Sequence, residues 1–147
     1  MPIPDSRESL PLQASLALGI IVFHLAVGVL HAAAHFHYEI PLAMWQHAYI
    51  ALVIFAAPLV AGGLLLARRL RAGAWLLLAS MPASVLFNVY FHFLLVGPDS
   101  ISSVTLDGWG FVFIGTAIFL AATEAWGASV AFRLLRVARR LALRAAL

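Results

Sequence analysis

Four apolar stretches, at about 13–36, 42–67, 73–96 and 109–132, constrain this chain more than any other feature of its sequence. A helix needs about 20 apolar residues to cross the hydrocarbon of a bilayer. Inside lipid, only helices and closed barrels satisfy every backbone N–H and C=O. Each stretch is long enough to span as a helix, and the breaks between them carry turn chemistry. Pro41 stands where it can open the second helix, because at the first helical position its missing N–H costs nothing. Gly97-Pro98-Asp99 stops the third helix, a polar segment runs to Asp107, and Asp107-Gly108 is placed to cap the fourth. Pro58 and Pro82 fall inside the second and third stretches, which predicts kinks and backbone carbonyls that must find other partners. The first stretch is too long, and its far end too rich in histidine, for a cleaved signal peptide.

Composition points the same way. Of the 147 residues, 64% are hydrophobic and 10% charged, with a mean hydropathy of +1.01. Soluble domains carry about a quarter charged residues, so lipid must be the solvent for most of this chain. The expected fold is all-α: an integral membrane four-helix bundle forming a single transmembrane domain over 1–147. With no cysteine, disulfides, thiolate metal sites, iron–sulfur clusters and cysteine nucleophiles are excluded.

Every basic residue is arginine, and position explains the high calculated pI. Arg68, Arg69 and Arg71 lie in the central break, Arg133, Arg136, Arg139, Arg140 and Arg144 at the C-terminus, and Arg7 in the N-terminal tail. The other two breaks hold Glu39, Asp99 and Asp107 instead. By the positive-inside rule the arginine side is cytoplasmic, which puts both termini there. Such charges meet anionic lipid head groups first, so the lipid bilayer and not nucleic acid is the expected partner. Arg133, Arg136, Arg140 and Arg144 share one helical face while Leu134, Val137, Ala138, Leu141 and Ala145 fall on another. The tail 133–147 therefore reads as an amphipathic Arg-rich extension, either lying on the inner leaflet or continuing the fourth span. Arginine in place of lysine, with abundant alanine, suggests a GC-rich bacterial genome, hence a multi-pass protein of the bacterial cytoplasmic membrane. The chain resembles the small four-span membrane proteins of bacteria, a likeness that carries no activity with it.

Inside lipid, an ionisable side chain marks function or a partner. All six histidines lie within or at the ends of the first three spans. His24, His31 and His35 are seven and four residues apart, so at 100° per residue they keep within about 40° of one another. Gly28 sits on the same stripe and leaves room for a neighbouring helix or a flat cofactor. Counting inward at about 1.5 Å per residue through a core near 30 Å places His31, His47 and His92 at one outer level. His35 comes about one turn shallower, Asn88 and Thr116 about one turn deeper, His24 near the midplane and Glu124 about 5 Å below it.

Imidazole ligates zinc, copper and iron without a thiol. His31, His47 and His92, with His35 in support, form the expected metal site, and Asn88 or Glu39 is placed to orient a ligand. The same helices suit a haem b bound among His24, His31, Asn88 and His92. A deeper set, His24, Glu124, Thr116 and Thr123, reads as a proton or cation path. Beside these stands a plainer role, since intramembrane histidines also join helices by hydrogen bonds worth about 1 kcal/mol or less. His37 and Tyr38 read as interfacial, and Trp45, Trp75, Trp109 and Trp126 as an aromatic belt.

No HExxH, nucleophile elbow, P-loop or dinucleotide fingerprint occurs, so any redox or metal-dependent turnover would rest on the histidine cluster. The principal expectation is a membrane protein binding a metal ion or haem near its outer face. The alternatives are a proton-coupled transporter of a small solute or ion, and an accessory subunit of a membrane complex. Four spans enclose little volume, so transport would call for a homo-oligomer, although no strong GxxxG face announces one.

Overall fold

A computed structural model describes residues 10–145, leaving Arg7 outside the described residues and the side chains of Leu141, Arg144 and Ala145 without description. Among the described residues four helices make up the fold: α1 (Leu12–His37), α2 (Met44–Leu66), α3 (Leu70–Leu94) and α4 (Gly108–Ala145). All four are long and apolar enough to cross a membrane. They pack as a ring in which α3 lies against α2 and α4, and α1 against α4 and the lower part of α2.

α2 begins at Met44 with Ala43 as its N-cap, so Pro41 stands outside the helix instead of in its first turn. The reason is local: the Gln46 side chain turns back and accepts the Ala43 N–H at 2.7 Å, starting the helix there. α3 begins at Leu70, so Arg71 lies within the helix and the central loop is shorter than its charge pattern implied. That loop closes on Arg68, whose φ is 59°, with Arg68 N–H bonded to Leu65 O and Arg69 N–H to Leu64 O. The end of α1 repeats the arrangement, with Glu39 at φ 49° and Ile40 N–H bonded to His35 O. Both are Schellman closures carrying a charged residue where glycine is usual. Asp107 caps α4, its Oδ1 accepting Gly110 N–H at 2.8 Å. α4 runs unbroken for 38 residues, so the arginine tail continues the fourth span. Leu134 is buried against the core while Arg133, Arg136, Arg139 and Arg140 are exposed, and Arg136 lies over the Phe132 ring at 4.4 Å.

The apolar core occupies the arginine half of the bundle, from Ala14, Ala17 and Ile21 on α1 to Leu77 and Met81 on α3 and Leu134 on α4. Small residues let the helices close. A Cβ on Gly73 would meet Leu65 Cδ2 at 2.7 Å and the Ala61 carbonyl at 3.0 Å, and one on Gly127 would meet Met81 Sδ at 3.1 Å. Large apolar side chains and all four tryptophans point outward, as a surface solvated by lipid requires.

The opposite half departs from regular helix at two places, Ile50–Ala56 in α2 and Tyr90–Leu94 in α3, both widened to π geometry. In α2 the cause is Pro58, which has no N–H for the Ile54 carbonyl four residues earlier. The widened turn instead bonds Ala57 N–H to Leu52 O. Ile54 O takes its proton from His24 Nε2 at 3.1 Å. In α3 the widened turn ends the helix and carries His92, as π-turns at functional sites often do.

Candidate metal centre

His31 and His35 lie one turn apart on α1, and His92 reaches them from the widened end of α3. His31 Nε2 stands 3.1 Å from His92 Nε2 and 3.2 Å from His35 Nε2. One ligand nitrogen from each of the three lies within 4.8 Å of the others. For comparison, two nitrogens bound tetrahedrally at ~2.0–2.1 Å from one zinc ion would be about 3.3 Å apart. Phe113 of α4, fully buried, floors the group with ring centroids 5.0, 5.3 and 5.4 Å from those of His31, His35 and His92.

The far nitrogens of two of these rings are already committed. His92 Nδ1 lies 2.7 Å from the Asp99 carbonyl oxygen, which can only accept, so Nδ1 carries the proton. Thr116 Oγ1 donates its proton to Val112 O at 2.6 Å and is left to accept His31 Nδ1–H at 2.8 Å. A neutral imidazole has one N–H. With both rings neutral and these outer bonds made, the two Nε2 atoms present lone pairs to each other at 3.1 Å. Two lone pairs at that distance repel unless a cation lies between them, and a transition metal ion is such a cation. Holding each imidazole by its outer N–H is also how metal-binding histidines are usually oriented.

Asp99 completes the wall. Its Oδ1 is 3.1 Å from His35 Nε2 and 3.1 Å from His92 Nδ1. Burial raises the carboxyl pKa, but the His35 and His92 imidazoles outweigh it and hold the group down at about 2. The loop is fixed to the helix end by Ile101 N–H bonding to His92 O at 3.0 Å. Sequence reading gave Asp99 only a helix-stopping role. Its spacing of seven residues from His92 crosses a loop, and no helical periodicity extends over it.

The remaining candidates are placed differently. His47 does not join the cluster: it is exposed, and its Nδ1–H donates to the Ala43 carbonyl of its own helix at 3.2 Å. It shares with the trio only a cavity of about 850 Å³, on whose α2 wall it lies. Level counting put His47 beside His31 because it treated the helices as parallel rods in contact. α1 instead packs on the Ala57–Leu66 part of α2 and draws away toward Met44. Asn88 is buried at 3% exposure, lines the same cavity, and has an Oδ1 without a partner among the described residues. Glu39 lies at the cavity's exposed rim. Thr116 reaches His31 Nδ1 at 2.8 Å and acts by holding that ring. The room left by Gly28 is taken by the Phe55 ring, which a Cβ there would meet at 3.0 Å. His37 stacks on Trp109 at 5.0 Å, and Tyr38 O–H donates to Asp107 Oδ1 at 2.7 Å.

His24 and Glu124 are both fully buried, with His24 Nδ1 4.0 Å from Glu124 Oε1. That is longer than a hydrogen bond, and neither carboxylate oxygen has a partner among the described residues. His24 is tied instead to Ile54 O. Thr123 donates to Leu120 O of its own helix at 3.0 Å. Toward the arginine end the buried polar side chains stop at Ser80, and below it Leu77, Ala131 and Leu134 close the bundle.

Comparison with protein-family models, curated proteins and solved structures finds no match for this chain.

Proposed function

We propose that this chain is a membrane metal-binding protein, holding one transition metal ion between His31, His35 and His92 with Asp99 as the fourth donor. The observation that carries the reading is the pair of bare Nε2 atoms of His31 and His92, kept 3.1 Å apart by outer hydrogen bonds to Thr116 and Asp99. Three imidazoles and a carboxylate, with no thiolate, form a donor set for zinc, copper(II) or iron(II). An ion in place turns the repulsion of the lone pairs into ligation and uses Asp99 to balance its charge. A haem b between His31 and His92 is disfavoured, because axial nitrogens on opposite faces of a porphyrin stand about 4 Å apart with the ring between them. Arginine placement supports a cytoplasmic location for both termini, with the metal site on the opposite side of a bacterial inner membrane.

The test is zinc binding by protein purified in mild detergent and stripped with a chelator, measured by calorimetry and elemental analysis. One equivalent is expected for the wild type. His31→Ala and His92→Ala should each lose binding by ~100-fold or more, exceeding the cost usual for an outer orienting residue, whereas His47→Ala should keep it. Binding that survives both of the first two replacements would overturn the proposal.

A further inference from the structure

The cavity beside the imidazoles is far larger than a metal ion needs. Its volume of about 850 Å³ lies toward the upper end of the ~300–1,000 Å³ usual for small-molecule pockets. Most of its wall is apolar, including Ala32, Ile50, Ala51, Ile54 and Phe55; the trio and Asn88 belong to α1 and α3, and exposed His47 and Glu39 lie on α2 and at the rim. α1 and α2 meet at Phe55 and along Ala57–Leu66 and separate beyond, and the cavity is a slot at that parting, backed by Phe87, Asn88 and His92 of α3 and Leu120 of α4. Phe36, 83% exposed, and the exposed Ala51 stand on its two sides. Where such a parting of two spans faces the hydrocarbon, acyl chains and not water are its neighbours. Asn88 keeps a buried Oδ1 that no donor among the described residues reaches.

We propose that the slot binds a single-chain lipid amphiphile, its chain against α2 and its compact head ligating the metal through oxygen while donating an O–H or N–H to Asn88. This rests on the metal-site reading above. The apolar wall accounts for the chain. The trio explains the ligating oxygen: three histidines with one carboxylate leave zinc free to exchange its carboxylate for, or add, an oxygen from the cavity side. The unpartnered Asn88 Oδ1 accounts for the donor on the head, since a buried acceptor left unpaired carries a free-energy cost that a bound O–H or N–H removes.

The experiment uses cobalt(II) in place of zinc, in protein reconstituted into lipid nanodiscs, and follows the visible cobalt spectrum. Two probes carry the same head, dodecanohydroxamate with a chain and acetohydroxamate without. The chained probe should perturb the spectrum at a total concentration lower by about tenfold or more, because its chain concentrates the head at the site. Ala51→Phe and Ala51→Leu, which fill the slot from α2, an element that carries none of the four ligands, should abolish that advantage while leaving cobalt loading and the acetohydroxamate response as they are. Chain partition into the bilayer is the same for every variant, so loss of the advantage reports the slot itself. Asn88→Ala should weaken both probes alike. Equal responses to the two probes in the wild type, or a chain advantage that both filled variants retain, would overturn the amphiphile while leaving the metal site standing. Failure of the wild type to take up cobalt would overturn both.

Discussion

At the arginine end the helices meet through glycine and alanine and, among the described residues, bury mainly apolar side chains, whereas at the histidine end they are held apart by a cavity and joined by hydrogen bonds. In lipid there is no hydrophobic force between helices, so close contact must come from packing of small residues or from polar pairs. The bundle uses one means at each end. Close packing at Gly73 and Gly127 anchors the arginine half. Freed from that duty, the other half can place π-turns, buried imidazoles and a ligand-sized slot where dense packing would leave no room. The difference teaches that close packing at one end and polar pairing at the other can divide a single bundle between them.

The largest effect should come from the tight end. Gly73→Leu puts a branched side chain against Leu65 and the Ala61 carbonyl, and overpacking of this kind costs about 1–3 kcal/mol. It should appear as a clear fall in thermal midpoint in detergent. Gly63→Ala, where a Cβ has nothing within 4 Å, should show no such fall. If the two behave alike, close packing is not what anchors this half.

A smaller effect is expected where the halves join. His24→Leu leaves the Ile54 carbonyl without its partner, and hydrogen bonds between membrane helices are worth about 1 kcal/mol. Adding Pro58→Ala returns an N–H to the helix and should recover part of the loss. A double mutant no more stable than His24→Leu alone would show that the imidazole does not serve the proline.

The smallest effect concerns the exposed tie at the histidine end. Tyr38 O–H, then Gly110 N–H and Thr105, hold the Asp107 carboxyl down at about 2, below its ordinary 3.8. A group whose folded pKa is depressed adds stability above its unfolded value and loses it as pH falls through the folded one. The contribution should therefore be complete above pH 3.8 and fade toward pH 2. Unfolding midpoints measured across that interval should converge for wild type and Asp107→Asn; curves that stay parallel would remove Asp107 from the account.

Much of the site was legible in the residues, and what was missed has a common cause. Helical periodicity brought His24, His31 and His35 onto one stripe, and level counting brought His92 to them. The same counting placed His47 in the cluster, because it took every pair of helices to be in contact at every level. Asp99 was missed because periodicity ends where the helix does. Phe113 was missed because an apolar residue in an apolar span gives no signal. The Ile54 carbonyl was half legible: Pro58 declares that a partner is needed, but not that His24 supplies it.

The sequence by itself determined the spans, the helix stops and the charge asymmetry, since each follows from local composition against the thickness and dielectric of a bilayer. Only tertiary structure decided which imidazoles meet. That choice depends on the angle at which α1 leaves α2 and on the phase change at two π-turns. Both arise from contacts between distant segments, and no single segment encodes them.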